Sequence, residues 1–197
     1  MTPRLLVTLA LIPLFALASC AVPSPPPTPS PEATVGVTTA DPTPVDTAQD
    51  PEQWTLSLDG IGPIRLAETV PVDLQAMFTD GWECFGPLLH HPDHGDIEIW
   101  TDEGTSDATV TAIVLSDDST ATSEGIRVGM ALAEVEGAYP ELTRSAEADQ
   151  SDTFRIYTVD GGPISLYFEV VNGVVAAISL QPSAAFWPAS DRSCGGP

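Results

Sequence analysis

All three histidines of this chain fall in one stretch, His90-His91-Pro92-Asp93-His94-Gly95-Asp96. Imidazoles and carboxylates this close can supply ligands to Zn²⁺ or Cu²⁺, so His90, His91, His94 and Asp96 form a candidate metal set. His90 and His94 would share a face only on a helix. Pro92 and Gly95 make the stretch a loop, and a polar connection between two elements explains the same residues. Other chemistry is thinner. Asp117-Asp118 and the acidic residues Asp149 and Asp152 lack the fixed Asp, Gly and Glu offsets of a calcium loop. Glu83 and Glu98 are carboxylates of the kind used in acid–base work, but nothing in the sequence brings them together. The sequence has no Gly-x-Ser-x-Gly elbow, phosphate loop or dinucleotide fingerprint. No catalytic residue is therefore assigned, and no cofactor beyond the candidate Zn or Cu.

The elements that would carry these residues belong to a strongly acidic chain. It has 197 residues, 6 Lys+Arg, 28 Asp+Glu and a formal net charge of −22. Every basic residue is an arginine, which points to a GC-rich bacterial coding sequence. The acidic excess argues against nucleic acid as a partner, because phosphate binding needs clustered cations. It also argues against lying flat on an anionic lipid surface.

The N-terminus reads as an export signal. A short positive region ends at Arg4, and residues 5–17 are apolar apart from Thr8 and Pro13. That is a signal-peptide length, too short for a membrane-spanning helix of about 20 residues. Leu17-Ala18-Ser19-Cys20 follows, and it resembles a bacterial lipobox. The resemblance implies cleavage before Cys20 and acylation of its thiol. Residues 1–19 are then a signal peptide and Cys20 a lipid anchor at the extracytoplasmic face of the cell membrane. With Cys20 lipidated, Cys84 and Cys194 remain, an even count in an oxidising compartment, and they are expected to pair as a disulfide. The alternative is a reactive Cys194, although no histidine or cluster of cations adjoins it to lower its pKa. Residues 20–50 are rich in Pro, Ser and Thr and carry no aromatic residue. Such a stretch cannot bury enough apolar surface to fold and reads as an extended, disordered tether. Its Ser and Thr residues are candidate O-glycosylation sites.

Residues 51–197 carry the folded domain, and they repeat themselves. Gly60-Ile61-Gly62-Pro63-Ile64-Arg65-Leu66 is echoed by Gly125-Ile126-Arg127-Val128. A helical pattern follows each: Val70, Leu74, Met77 and Phe78 in the first, and Leu132, Val135, Ala138 and Tyr139, stopped by Pro140, in the second. Paired strands follow in turn. Ile97-Glu98-Ile99-Trp100 leads to Ala112-Ile113-Val114-Leu115, and Ile164 to Phe168 leads through Asn172-Gly173 to Ala177-Ile178-Ser179-Leu180. Ile164, Leu166, Phe168 and Val170 alternate with Ser165, Tyr167 and Glu169, which predicts one buried and one polar face. The expected fold is α+β, with two repeats of strand–helix–antiparallel strands. Repeat one covers about 54–118, repeat two about 120–182, and a tail spans 183–197. One continuous sheet and two abutting half-sheets both satisfy the pattern. Trp54, Trp100, Tyr157 and Phe168 read as core, whereas Trp82 and Trp187 near turns or the tail mark either a partner surface or further packing.

Gly129-Met130-Ala131-Leu132-Ala133-Glu134-Val135 resembles the Gly-Met-Thr-x-x-Glu-Val helix start of small envelope lipoproteins of the SmpA/OmlA type. A tandem pair of such modules is similar to the architecture of β-lactamase inhibitory proteins. Ala67-Glu68-Thr69 stands where the first copy would carry Gly-Met-Thr, and only one helix is legible per repeat where the inhibitors have two. The resemblance implies a noncatalytic binding or envelope-assembly module, with an envelope protein or glycan as partner. The alternatives are a metal-binding lipoprotein using His90, His91 and His94, and a hydrolase or thiol enzyme whose residues gather from distant loops.

Overall fold

The computed structural model describes residues 49–83, 86–145 and 151–189. Cys20, the tether up to residue 48, Cys84 and Cys194 lie outside them, and with them the lipidation and disulfide expectations. Among the described residues there are eleven strands: β1 (Thr55–Ser57), β2 (Gly60–Ile61), β3 (Thr79–Glu83), β4 (Gly86–His90), β5 (Ile97–Thr101), β6 (Val110–Leu115), β7 (Ala121–Thr122), β8 (Thr143–Arg144), β9 (Phe154–Asp160), β10 (Ile164–Val171) and β11 (Val174–Pro182). One short helix, α1 (Leu132–Ala138), joins β7 to β8.

Asn172 and Gly173 have φ angles of 53° and 82°. Two left-handed residues in succession twist a two-residue turn the same way as its flanking strands, so β10 folds straight back on β11 with Val171 opposite Val174. The same antiparallel rule builds one eight-stranded sheet in the order β3-β4-β5-β6-β11-β10-β9-β8. Its order reads outward as two four-strand runs from the central pair β6 and β11. A small second sheet, β2-β1-β7, pairs β1 with β7 in parallel.

The expected α+β class with a helix in each repeat is overturned: the domain is mostly β, and the first helix is absent. Residues 71–78 form tight turns instead, with Leu74 N–H and Gln75 N–H both donating to the Pro71 carbonyl and Met77 N–H to Leu74. A single 3₁₀ turn, Gln75–Met77, is all that remains. The 3₁₀ turn has no side-chain cap at Leu74 that would satisfy the first donors of a longer helix. Pro71 supplies no donor, and the Gln75 amide takes the Val70 carbonyl (3.0 Å). Of the four predicted apolar positions, Val70, Leu74 and Phe78 are buried in the core and Met77 packs against it partly exposed. Over Leu132–Ala138 the expected helix forms. Glu134 accepts the Ala131 N–H at 2.9 Å, which satisfies one donor at the helix start, and Val135 and Tyr139 are buried.

The turns at residues 67 and 129 are built alike. Gly129 has φ +89°, and the equivalent Ala67 has φ +62°. Gly129 N–H donates to the Val175 carbonyl and Val175 N–H donates back to Met130; Ala67 N–H donates to Val110 and Val110 N–H back to Glu68. Each turn is thus tied to the first residues of a central strand. Alanine in the left-handed region costs about 1–2 kcal/mol that glycine avoids. Ala67→Gly is therefore expected to stabilise the fold despite glycine's greater unfolded entropy, by about 0.5 kcal/mol net. Urea titration checks it: a lower midpoint than the parent's would show that Ala67 is unstrained.

A core of apolar side chains fills the space between one face of the large sheet and a layer made by α1, residues 64–78 and the small sheet. Phe168 lies at its centre, fully buried, with its ring 5.3 Å from that of Tyr139 on α1. The opposite face departs from expectation. Ser165, Tyr167 and Glu169 were expected to be the solvent-facing set of β10, yet all three are buried. The reason is tertiary: residues 183–189 fold back across this face. Phe186 stacks on Tyr167 at 4.1 Å, Ser183 and Ser165 share a hydrogen bond of 2.7 Å, and the Ala189 N–H donates to the Glu169 carboxylate.

Candidate functional site

The strap formed by residues 183–189 creates a groove on one face of the large sheet. It crosses from β10 and β11 towards β4 and β5, where Ala189 packs on a second apolar cluster of Leu88, Trp100, Ala112 and Val114. Between the strap and the sheet lies a groove of about 340 Å³, lined by Pro87, Trp100, Thr101, Thr111, Gln181 and Trp187 among others. A bulge between Trp100 and Thr101 shifts the register of β5 against β6 at this point, which redirects the side chains beside the groove. Gly104 closes one edge: its φ is +79°, and a Cβ there would sit 2.4 Å from the Pro87 Cβ.

One buried amide organises the strap. Gln181 is 1% exposed; its Nε2 donates to the Trp187 carbonyl at 2.9 Å, and its Oε1 accepts the Trp187 N–H at 3.1 Å. The same Nε2 reaches Ser179 Oγ at 2.8 Å. Both backbone groups of Trp187 are thereby held, while 49% of the residue stays exposed at the groove mouth. A large aromatic ring on a fixed backbone can meet a ligand with little further loss of conformational entropy. Trp187 was flagged by its position near the tail. Gln181 was not, although an amide in a strand otherwise reading as core was the available signal.

The histidine stretch is divided by the pleat. His90 ends β4 and shares a face with Leu88, the side of the second apolar cluster, pairing across to Glu98 of β5. The next residue, His91, falls on the main-core side with Leu89, because successive strand side chains point to opposite faces. His91 and His94 do come together, with ring centroids 4.8 Å apart, and Phe78 meets the His91 ring edge-on at 5.9 Å. Asp96 is 1% exposed, and neither carboxylate oxygen has a hydrogen-bond partner. Among the described residues no three His, Cys, Asp or Glu side chains converge in a metal-ligating group. The candidate set is thus split into His91, His94 and Asp96 in one region and His90 on the other face.

Burial lowers the His91 pKa below its ordinary 6.5, His94 adds to the effect, and Asp93 and Asp96 oppose it. Its Nδ1 accepts the Asp93 N–H at 3.2 Å, which requires an unprotonated nitrogen there. The folded state therefore binds a proton less readily than the unfolded chain. Its stability contribution is complete above pH 6.5 and is lost as the pH falls below that value. Thermal melts at pH 7 and pH 5 are expected to show a smaller acid-induced drop in His91→Gln than in the parent. Equal drops would assign the acid sensitivity to other groups.

No helix of the described residues is long and apolar enough to cross a membrane. Scans against protein-family models, characterised proteins and solved structures each returned no match.

Proposed function

We propose that this chain is a lipid-anchored, extracytoplasmic binding module, noncatalytic, carried outward from Cys20 on its Pro-rich tether. The observation that carries the binding role is Trp187, half exposed on a backbone clamped by Gln181 at the mouth of the strap groove. A flat indole complements the apolar face of a sugar ring, and the exposed Thr111 hydroxyl that also lines the groove suits the hydroxyl edge. An envelope glycan is therefore the favoured ligand class. The matched turns at Ala67 and Gly129 support the tandem-module reading and, through it, the resemblance to noncatalytic binding proteins. The test is cosedimentation of the purified chain with isolated cell-wall sacculi. The parent is expected to pellet, and Trp187→Ala to lose affinity by about tenfold or more with an unchanged melting curve, as an aromatic anchor would. A parent that stays in solution, or a variant that pellets equally, overturns the reading.

A metal-binding role is favoured by one observation, the buried Asp96 carboxylate left without a partner near His91 and His94. Calorimetry with Zn²⁺ decides it: no heat of binding in the parent, or the same binding in His91→Ala/His94→Ala, removes it.

A further inference from the structure

Four arginines lie in the described residues, and three of them have a partner there. Arg65 donates to the carbonyls of Gly62 and Ile64, Arg127 to those of Asp118 and Ser119, and Arg144 has a contact of its own. Arg155 is the exception. It lies on β9 opposite Val170, in alternation with Tyr157 and Val159, so its side chain is on the core face of the sheet. Its Nε is buried, and among the described residues nothing accepts from it. A guanidinium has five donors and is always charged, so leaving one of them buried and unbonded is unfavourable unless something else supplies the acceptor.

The space beside it has the shape to hold that acceptor. A pocket of about 220 Å³ opens between the ends of β9 and β10 and the start of α1. Leu132, Val170 and Tyr157 give it apolar walls, and Thr153 and Asn172 give it a polar rim. The walls are fixed by backbone hydrogen bonds: Leu132 N–H donates to Gly173 at 2.9 Å and Asn172 N–H to Thr153 at 2.9 Å. Asp152 also lines the pocket, exposed at its rim and making no ion pair with Arg155. Its negative charge disfavours a dianion such as phosphate but permits a single carboxylate that approaches the guanidinium from within.

We propose that this pocket binds a small monocarboxylate with a short apolar chain, the carboxylate pairing with Arg155 and the chain lying against Leu132, Val170 and Tyr157. The pocket is separate from the strap groove, on the other face of the sheet, and the proposal does not depend on glycan binding there. A bidentate carboxylate would supply the acceptor that Nε lacks. The volume limits the ligand to a few carbon atoms beyond its carboxylate, below the 300–1,000 Å³ or so of sites for larger organic molecules.

The test uses the purified chain and sodium hexanoate, followed by calorimetry and by chemical-shift changes at residues 153–157 and 170–173. Saturable binding is expected, with hexanol and inorganic phosphate at least tenfold weaker. Arg155→Gln should abolish it, and Leu132→Ala should weaken it severalfold. Thermal melts without ligand give the second readout. With no partner among the described residues, Arg155→Met should melt at or above the parent's temperature. Hexanoate that does not bind, phosphate that binds as well, or binding that survives Arg155→Gln overturns the proposal. So does a melting temperature several degrees lower in Arg155→Met, which would mean that Arg155 pairs with the protein itself.

Discussion

Replacing Phe168 with alanine is expected to destabilise the domain by about 3–5 kcal/mol, the range for emptying a large aromatic site in a packed core. Phe168 has no exposed surface, its strand pairs on both sides, and its ring packs against Tyr139 of α1. Little backbone at that point can move to fill the cavity, because β10 is held by β9 and β11 along its whole length. Against a typical total of 5–15 kcal/mol, that is a large share of the stability. Urea unfolding followed by tryptophan fluorescence reads it as a shift in midpoint. A loss under about 1 kcal/mol would show that the two layers are not packed through Phe168.

Cys20→Ser is expected to move the whole population from the membrane fraction to the soluble or secreted fraction. The expectation rests on Leu17-Ala18-Ser19-Cys20 and its resemblance to a lipobox. Two acyl chains bury enough methylene groups, at about 0.8 kcal/mol each, to make anchoring effectively permanent, whereas a serine at the same position offers no thiol to acylate. With a net charge of −22 the domain itself has no attraction for an anionic lipid surface to substitute for the anchor. Fractionation and the mass of the N-terminal peptide decide the matter together. An unmodified Cys20 peptide, or a serine variant that remains in the membrane, overturns the anchor.

Much of the fold was legible because its signals are local. The Asn172-Gly173 turn, the alternation along β10 and the pairing of residues 97–100 with 110–115 depend on neighbours within a few positions. The structure places the predicted strand pairs in hairpins of the large sheet. The helix over 71–78 was misread for an instructive reason. Val70, Leu74 and Phe78 recur at helical spacing, and tight turns that bury every fourth residue leave the same pattern. Hydrophobic spacing reports which side chains are buried, and backbone hydrogen bonding is decided by capping and by the need to enter β3 extended.

The sites were less legible than the strands. Adjacent histidines look like one cluster in sequence, but the pleat sends His90 and His91 to opposite faces, which becomes evident only once β4 is known to end at His90. Arg155 carries a readable signal: it is a charged residue in register with Tyr157 and Val159 on one face of a strand. That no described residue accepts from its Nε could be seen only with the neighbouring elements in place.

By itself the sequence determined the candidate address at Cys20, the acidic surface, the strand-rich second half and the positions of most core residues, because each depends on composition or on short-range periodicity. Tertiary structure alone decided that the two four-strand runs join through β6 and β11. It alone decided that residues 183–189 cover the face bearing Ser165, Tyr167 and Glu169, that Gln181 clamps Trp187, and that Arg155 stands without a partner among the described residues. Each of these joins residues far apart in the chain, and such contacts are chosen by the burial and hydrogen bonding of the whole domain, which no local pattern encodes.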